Sequence, residues 1–206
     1  MNGINSSTAL WYISRATGVV ALLLLTAVVL LGLLVTRQGK LPGLPRFAAT
    51  GLHRNLSLLS VVFIALHVLT AVTDGYVTIP LLAAVIPLDS PYERLPLALG
   101  AVSLDLLLAL IVTSLVRHRL SRRVWRGVHL LAYLSWPVAW LHGFTAATDL
   151  EHGWMLLLAV ADLLVVLAAV AWRAAAAARD LPRAERVGAL MTSVDRARSG
   201  KMRRNQ

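Results

Sequence analysis

The sequence predicts an all-α membrane protein with five transmembrane helices, and three observations carry this prediction. Of the 206 residues, 58% are hydrophobic and 15% are charged, whereas soluble domains average about 45–50% and about 25%. Five stretches run for roughly 20 residues with little or no charge, the length that a helix needs to cross a bilayer. The basic residues cluster between alternate stretches. This composition excludes a soluble enzyme.

The five predicted spans follow one another with short connections, at residues 10–35, 50–73, 95–116, 124–148 and 153–172. The first is uncharged except for Arg15 near its outer end. The second and the fourth carry two histidines each. The third and the fifth have one carboxyl group each near the middle, Asp105 and Asp162. Ionisable residues at this depth are costly, and they mark functional sites by default.

The positive charges orient these spans. All but Arg15 and Arg94 of the 20 Lys and Arg residues lie between spans one and two, between spans three and four, or in the tail, counting those just inside the neighbouring helix ends. These three segments fall on one side of the membrane, and segments rich in basic residues stay in the cytoplasm. We therefore predict that the N-terminus is outside and the C-terminus inside, with a membrane domain at 1–173 and a basic cytoplasmic tail at 174–206, amphipathic or disordered.

One further apolar segment, 77–88, is too short to span the membrane and is broken by Pro80 and Pro87. We expect it to lie in the outer interface or to re-enter the membrane there.

Charge and cysteine content exclude several classes of function. The formal net charge of +10 does not indicate a nucleic-acid partner, because the arginines flank apolar spans, where membrane orientation explains them. The absence of cysteine excludes disulfides, iron–sulfur clusters, thiolate metal sites and covalent c-type haem attachment. The expected environment is the plasma membrane of a bacterium, with the lipid bilayer as the first partner.

Four histidines lie inside the predicted spans, His53 and His67 in the second and His129 and His142 in the fourth. These two helices run parallel, so His53 faces His129 near the inner surface and His67 faces His142 near the outer surface. The intervals of 14 and 13 residues put the two pairs about 20 Å apart along the membrane normal. Two cross-helix pairs at this separation suit two b-type haems with bis-histidine axial ligation.

In the fourth span, the angle between the two histidines around a straight helix does not fit this pairing as well. Fourteen residues return a side chain to within about 40° of its first direction, whereas thirteen leave it about 140° away. Pro137 lies between His129 and His142, and a proline inside a helix kinks or rewinds it. We therefore expect Pro137 to let both histidines point at the second span.

A proton relay or a divalent-metal site is the main alternative for these histidines. The ligands of one metal must converge within a few ångströms, and two histidines about 20 Å apart along one helix cannot do so. Such sites would therefore be separate. The remaining histidines, His118 in an Arg-His-Arg loop and His152 after Glu151, are expected to be solvated.

Three segments resemble the ferric reductase-like transmembrane family: WYISRATGVVALLLL, LHRNLSLLSVVFIALHVLTAVTDGY and WRGVHLLAYLSWPVAWLHGFTAATD. That family includes NADPH oxidases, ferric-chelate reductases and the haem subunit of a bacterial periplasmic methionine-sulfoxide reductase. The resemblance covers residues 10–173, and the histidine spacing is its most specific element. It implies that His53, His67, His129 and His142 are haem ligands, and that electrons pass from the cytoplasmic to the outer side.

Three arginines are candidate partners for the anionic haem propionates. Arg15 enters the first span from the outer side and is assigned to the outer haem, with snorkelling to the headgroups as the alternative. Arg54 and Arg126 flank the inner histidines and are assigned to the inner haem, with positive-inside anchoring as an equal alternative.

Two tryptophans and two carboxyl groups also lie inside the spans. Trp136 and Trp140 fall between the histidines of the fourth span and are expected to pack in the aromatic core or between the haems. Asp105 and Asp162 are expected to form structural polar contacts or to take part in a proton-coupled step, with hydroxyl partners such as Ser57, Ser60 and Thr113.

Together these observations predict the membrane electron-transfer subunit of an oxidoreductase rather than a complete enzyme. The 33 residues after Arg173 are too few for a flavin or nicotinamide domain, so either cofactor is expected on a partner, a cytoplasmic flavoprotein reductase. An electron acceptor on the outer side completes the expected partners. The alternatives are a quinol-linked diheme cytochrome b, and a haem-free metal or proton transporter.

Overall fold

The computed structural model describes residues 6–35, 45–74, 77, 79–147 and 153–204. Within these ranges all regular secondary structure is helical, with no strand. The α-helices are α1 (Ser6–Val35), α2 (Arg46–Thr73), α3 (Arg94–Leu115), α4 (Arg122–His129), α5 (Ala132–Ala146) and α6 (Trp154–Arg204). Two short 3-10 turns cover Leu81–Ala84 and Arg117–Arg119. The all-α class predicted from the sequence is confirmed.

Four of the described helices are long and apolar enough to cross a membrane, over Ala9–Leu34, Phe47–Thr73, Arg94–Leu115 and Trp154–Arg179. They correspond to predicted spans one, two, three and five. Many of their large apolar side chains point outward: Val62, Leu69 and Val112 are 54%, 58% and 55% exposed. Outward apolar surface on this scale suits contact with lipid. The chain therefore crosses the membrane several times.

The fourth predicted span is divided in the structure. Residues 124–148 were expected to form one helix, but α4 ends at His129 and α5 begins at Ala132. Across this break and into the first turn of α5, the backbone N–H groups of Leu131, Tyr133 and Leu134 donate to carbonyls three residues back, at 2.9 to 3.1 Å. This is 3-10 winding, which turns about 120° per residue instead of about 100°.

This tight winding has a consequence for the histidine angles. Each tightened residue adds about 20° of rotation, so the junction reduces the 140° mismatch between His129 and His142. The structure places this change of winding at Leu130 and Leu131 rather than at Pro137, which lies inside α5 without ending it.

Two helix pairs, α1 with α2 and α3 with α5, make the most extensive contacts. Helix α1 lies along α2 and also contacts α5, while α3 lies along α5, and the 3-10 turn at Leu81–Ala84 packs on α3. Ala21, Leu25, Val29 and Leu33 recur every four residues on α1 and are at most 9% exposed. Residues four apart share one helix face, so this stripe is the part of the apolar core that α1 contributes.

The chain divides into two compact units, Met1–Val166 and Leu167–Gln206. The first holds α1 to α5 and the beginning of α6. The second consists, in its described part, of the rest of α6, whose backbone is helical as far as Arg204. The amphipathic or disordered character expected for the tail stays a prediction.

Candidate functional site: two histidine pairs

The structure brings the four predicted histidines together as two pairs. The ring centres of His53 and His129 are 6.4 Å apart, and those of His67 and His142 are 6.1 Å apart. The two rings of each pair are inclined at 66° and 69°. Both pairs join α2 to the α4–α5 segment, so these helices run parallel, as predicted.

These separations fit two axial ligands of one metal ion. A metal–imidazole bond is about 2 Å long. Two such bonds in line, with each ring centre about 1 Å beyond its nitrogen, put the ring centres roughly 6 Å apart. The residues present therefore match bis-histidine ligation of a metal held between the rings. Within the described residues, no group of three or more His, Asp or Glu side chains converges on one point.

Hydrogen bonds to Nδ1 orient three of the four rings. His67 Nδ1 lies 2.8 Å from the carbonyl oxygen of Ser14, and His142 Nδ1 lies 2.7 Å from that of Pro96. His53 Nδ1 lies 3.2 Å from the carbonyl oxygen of Val28. A carbonyl only accepts, so each Nδ1 must carry the proton and donate it. This tautomer leaves Nε2 free to bind a metal, which is the usual arrangement of a ligating histidine.

A glycine follows each of these carbonyls by four residues. Ser14 precedes Gly18, Val28 precedes Gly32, and Pro96 precedes Gly100. A helix carbonyl points toward residue i+4, so the missing side chain there opens the carbonyl to a ring from another helix. We call each combination of a carbonyl and a glycine a histidine seat.

The seats are close-fitting at the second pair. A Cβ on Gly18 would lie 2.9 Å from His67 Nδ1, and one on Gly100 would lie 2.8 Å from His142 Cε1. Gly32 is less tight, because its Cβ would lie 3.7 Å from His53 Cε1. Gly18 and Gly32 are 14 residues apart on α1, the same interval that separates His53 and His67 on the antiparallel α2.

These three glycines were not among the site residues predicted from the sequence. The matching interval of 14 residues between Gly18 and Gly32 was a readable signal. Gly100 had no such counterpart, because its role depends on how α3 packs against α5.

A mostly apolar cavity of about 260 Å³ adjoins His67 and His142. That is slightly below the volume range of ligand pockets, about 300 to 1,000 Å³. Helices α1, α2, α3, α5 and the beginning of α6 enclose it, and Ala83 and Ala84 of the 3-10 turn also line it. The segment expected at the outer interface therefore contributes to the wall of this cavity.

The three predicted arginines occupy different environments. Arg15 lines the cavity, its guanidinium carbon lies 4.6 Å from the centre of the Trp11 ring, and its Nη2 lies 3.9 Å from Met155 Sδ. Arg54 and Arg126 are exposed. Two histidines lie outside the pairs. His118 is exposed, as expected, and His152 lies outside the described residues.

Asp162 has a different neighbour from those expected. It is 6% exposed, and the hydroxyl group of Thr26 lies beside its carboxyl group. The hydroxyls proposed from the sequence instead donate to carbonyls of their own helices: Ser57 to His53, Ser60 to Leu56, and Thr113 to Ala109. The sequence could not reveal this, because the choice of neighbour depends on which helix faces meet. Asp105 is exposed on α3.

The two tryptophans fill structural roles in the described fold. Trp136 is 5% exposed, and its Nε1 donates to Thr26 Oγ1 at 2.7 Å, which ties α5 to α1. Trp140 donates to the carbonyl of Ala159 at 3.0 Å, stacks on Phe144 and lines the cavity.

Comparison with known proteins gives one match. The family model described as "Ferric reductase like transmembrane component" matches residues 17–140, a range that includes His53, His67 and His129 and ends two residues before His142. No curated protein and no solved structure matches the chain. The matched range covers more than half of the 206 residues, and the chain therefore belongs to the ferric reductase-like transmembrane family.

Proposed function

We propose that the protein is a diheme b-type cytochrome that carries electrons from a cytoplasmic donor to an acceptor on the outer side of a bacterial plasma membrane. One observation carries the proposal: two histidine pairs with ring centres 6.4 and 6.1 Å apart, spaced about 20 Å along α2. Domains of the ferric reductase-like family generally bind haem and take part in transmembrane electron transfer, which supports it.

In this proposal the four histidines are the axial ligands. Haem, when bound, supplies a one-electron carrier with both axial positions filled by protein. Ser14, Val28 and Pro96 hold their histidines in the ligating tautomer through backbone carbonyls. The apolar walls of the cavity keep water away from the second pair.

The arginines neutralise propionates. Arg15, which lines the cavity, is assigned to the haem held by His67 and His142. Arg54 and Arg126 are adjacent in sequence to His53 and His129, and they are assigned to the other haem.

The proposal includes a fifth span and an orientation. The segment from Arg122 to Ala146, made of α4, the tight junction and α5, is about 35 Å long at about 1.5 Å per residue, long enough to cross the hydrocarbon core. Five spans put the N-terminus outside and the C-terminus inside, as the arginine distribution requires. His53 and His129 are then the inner pair.

The electron donor is a cytoplasmic flavoprotein reductase in this proposal, with flavin and nicotinamide on that partner. Hydride donors deliver two electrons at once and a haem iron accepts one, so a flavin usually stands between them. A quinol is the alternative donor. Titration of the haem potentials with and without quinone analogues separates the two, because only a quinol-linked protein responds to the analogue.

A reduced-minus-oxidised spectrum with haem quantification on the purified protein tests the proposal. We expect two b-type haems per chain. His67→Leu or His142→Leu should remove one, and His53→Leu or His129→Leu should remove the other, so each variant retains about half of the haem. A colourless protein would favour the haem-free transporter, and wild-type haem content in all four variants would show that these histidines are not the ligands.

A further inference from the structure

The fourth histidine is held differently from the other three. His53, His67 and His142 each have Nδ1 within 2.7 to 3.2 Å of a helix carbonyl. The Nδ1 of His129 is buried and has no hydrogen-bond partner among the described residues. His129 therefore lacks a histidine seat.

Ring stacking takes the place of that hydrogen bond. The rings of His129 and Trp125 are nearly parallel, at 17°, with centres 4.9 Å apart. The guanidinium carbon of Arg117 lies 4.6 Å from the centre of the Trp125 ring. Stacking keeps the imidazole in its plane, but unlike a hydrogen bond it does not select which ring nitrogen carries the proton.

The backbone beneath His129 also differs. His129 is the last residue of α4, and the next two residues belong to the tightly wound junction. The other three histidines lie inside α2 and α5, with more than one helical turn between them and the nearest helix end. Helix ends have fewer intrahelical hydrogen bonds than helix interiors, so His129 has the least constrained backbone of the four.

We propose that His129 is the exchangeable axial ligand of this cytochrome, and that the His129 side of the His53–His129 pair is a binding site for a small neutral ligand such as carbon monoxide. The inference rests on the proposed function, since it takes the four histidines as haem ligands. Losing the hydrogen-bond partner of a ligating histidine typically weakens metal binding about 10- to 100-fold, and His129 starts without one.

The exchange is a substitution without electron transfer. With ferrous haem held between the two histidines, carbon monoxide would take the place of His129, an iron–carbon bond replacing the iron–His129 bond, and His53 would continue to hold the haem. The released imidazole stays stacked on Trp125. At the His67–His142 pair both ligands are seated, and no such exchange is expected.

Carbon monoxide added to the dithionite-reduced full-length protein tests the inference. Haem is counted first: fewer than two haems per chain contradicts the proposed function itself. With two haems present, we expect about half of the haem to show the carbon monoxide spectrum. The variant carrying both His67→Leu and His142→Leu should react completely, and the variant carrying both His53→Leu and His129→Leu should not react. Reaction at the His67–His142 pair, or at neither pair, overturns the inference alone.

The rate of haem release gives a second readout, which needs no substitution of a histidine. Transfer of haem to an excess of a haem-scavenging apoprotein should be biphasic in the wild type, with one haem leaving at least about 10-fold faster. Trp125→Leu removes the stack on His129 and should accelerate only the fast phase. Trp172→Leu, the same substitution at a half-exposed tryptophan of α6, is the matched control. Equal release of both haems, or acceleration of the slow phase by Trp125→Leu, contradicts the proposal.

Discussion

At the scale of single residues, the histidine pairs depend on backbone carbonyls and on glycines, which cannot be recognised as functional from the sequence. The histidines are visible as ionisable groups in apolar spans, but three of them are oriented by backbone carbonyls. Each carbonyl is accessible because the residue four positions later is glycine. The glycines thus act as positioning residues.

Gly18→Ala and Gly100→Ala should each lower the haem occupancy of the His67–His142 pair, by about 10-fold or more in affinity. The added methyl would lie within 3.0 Å of a ring atom, so the imidazole has to move off its carbonyl. Haem content and the spectrum of the remaining haem measure the effect.

Two other glycines supply the controls. Gly51→Ala and Gly127→Ala add a methyl group with nothing within 4 Å, and alanine favours a helix over glycine by about 1 kcal/mol. These variants should keep full haem content with equal or higher stability. In Gly32→Ala the added Cβ would lie 3.7 Å from His53 Cε1, an ordinary contact. This variant should therefore also keep nearly full haem content. Equal loss in all five variants would mean that helix geometry, not the seats, is responsible.

At the scale of elements, the α4–α5 junction sets the angle between two histidines. His129 and His142 are 13 residues apart, an interval that misdirects them by about 140° on a straight helix. The N–H groups of Leu131, Tyr133 and Leu134, bonded three residues back, recover part of that angle. The α4–α5 segment, which runs parallel to α2, can then contribute one histidine to each pair.

Deletion of Leu131 should abolish one pair. Its loss turns α5 back against α4 by about 100° and shifts it by about 1.5 Å, which enlarges the mismatch that the tight winding reduces, so His129 and His142 cannot both face α2. We expect the variant to bind about one haem per chain, as measured by haem quantification. Pro137→Ala is the comparison: α5 continues through Pro137, so this variant should keep both haems. Two haems in the deletion variant would show that the junction does not set the angle.

At the scale of the whole molecule, one cluster of basic residues lies close in sequence to a histidine pair. Arg117, Arg119, Arg122, Arg123 and Arg126 are all exposed, in a short stretch that ends three residues before His129. The same stretch can orient the chain in the membrane and attract an acidic partner toward the His53–His129 pair.

A reporter fused after Gln206 should be cytoplasmic, because basic segments resist translocation. Paired fusions of a phosphatase active only outside the cytoplasm and a fluorescent protein active only inside measure this. The same reporters placed in the segment 77–88 should give the opposite pattern. A periplasmic C-terminus would reverse the assignment of the inner and outer pairs.

Stopped-flow reduction of the purified 206-residue chain should separate its role from that of its donor. Dithionite should reduce both haems, whereas NADH or NADPH alone should reduce neither. Addition of an acidic flavoprotein reductase should restore reduction, at a rate that falls as salt screens the attraction. Rapid reduction by NADPH without another protein would reveal a nicotinamide-linked site within this chain. A salt-independent rate would assign the arginines to orientation alone.

The all-helical class, four of the membrane-spanning helices, the family and the pairing of the four histidines could all be predicted from the sequence alone. These are properties of single segments: apolar length, charge position and residue spacing along one helix. The tertiary structure decided which surfaces meet. It placed Thr26 rather than Ser57, Ser60 or Thr113 beside Asp162, moved the change of winding from Pro137 to Leu130 and Leu131, and set Gly100 against His142. Contacts between helices depend on the packing of whole faces, which residue spacing within one helix does not specify.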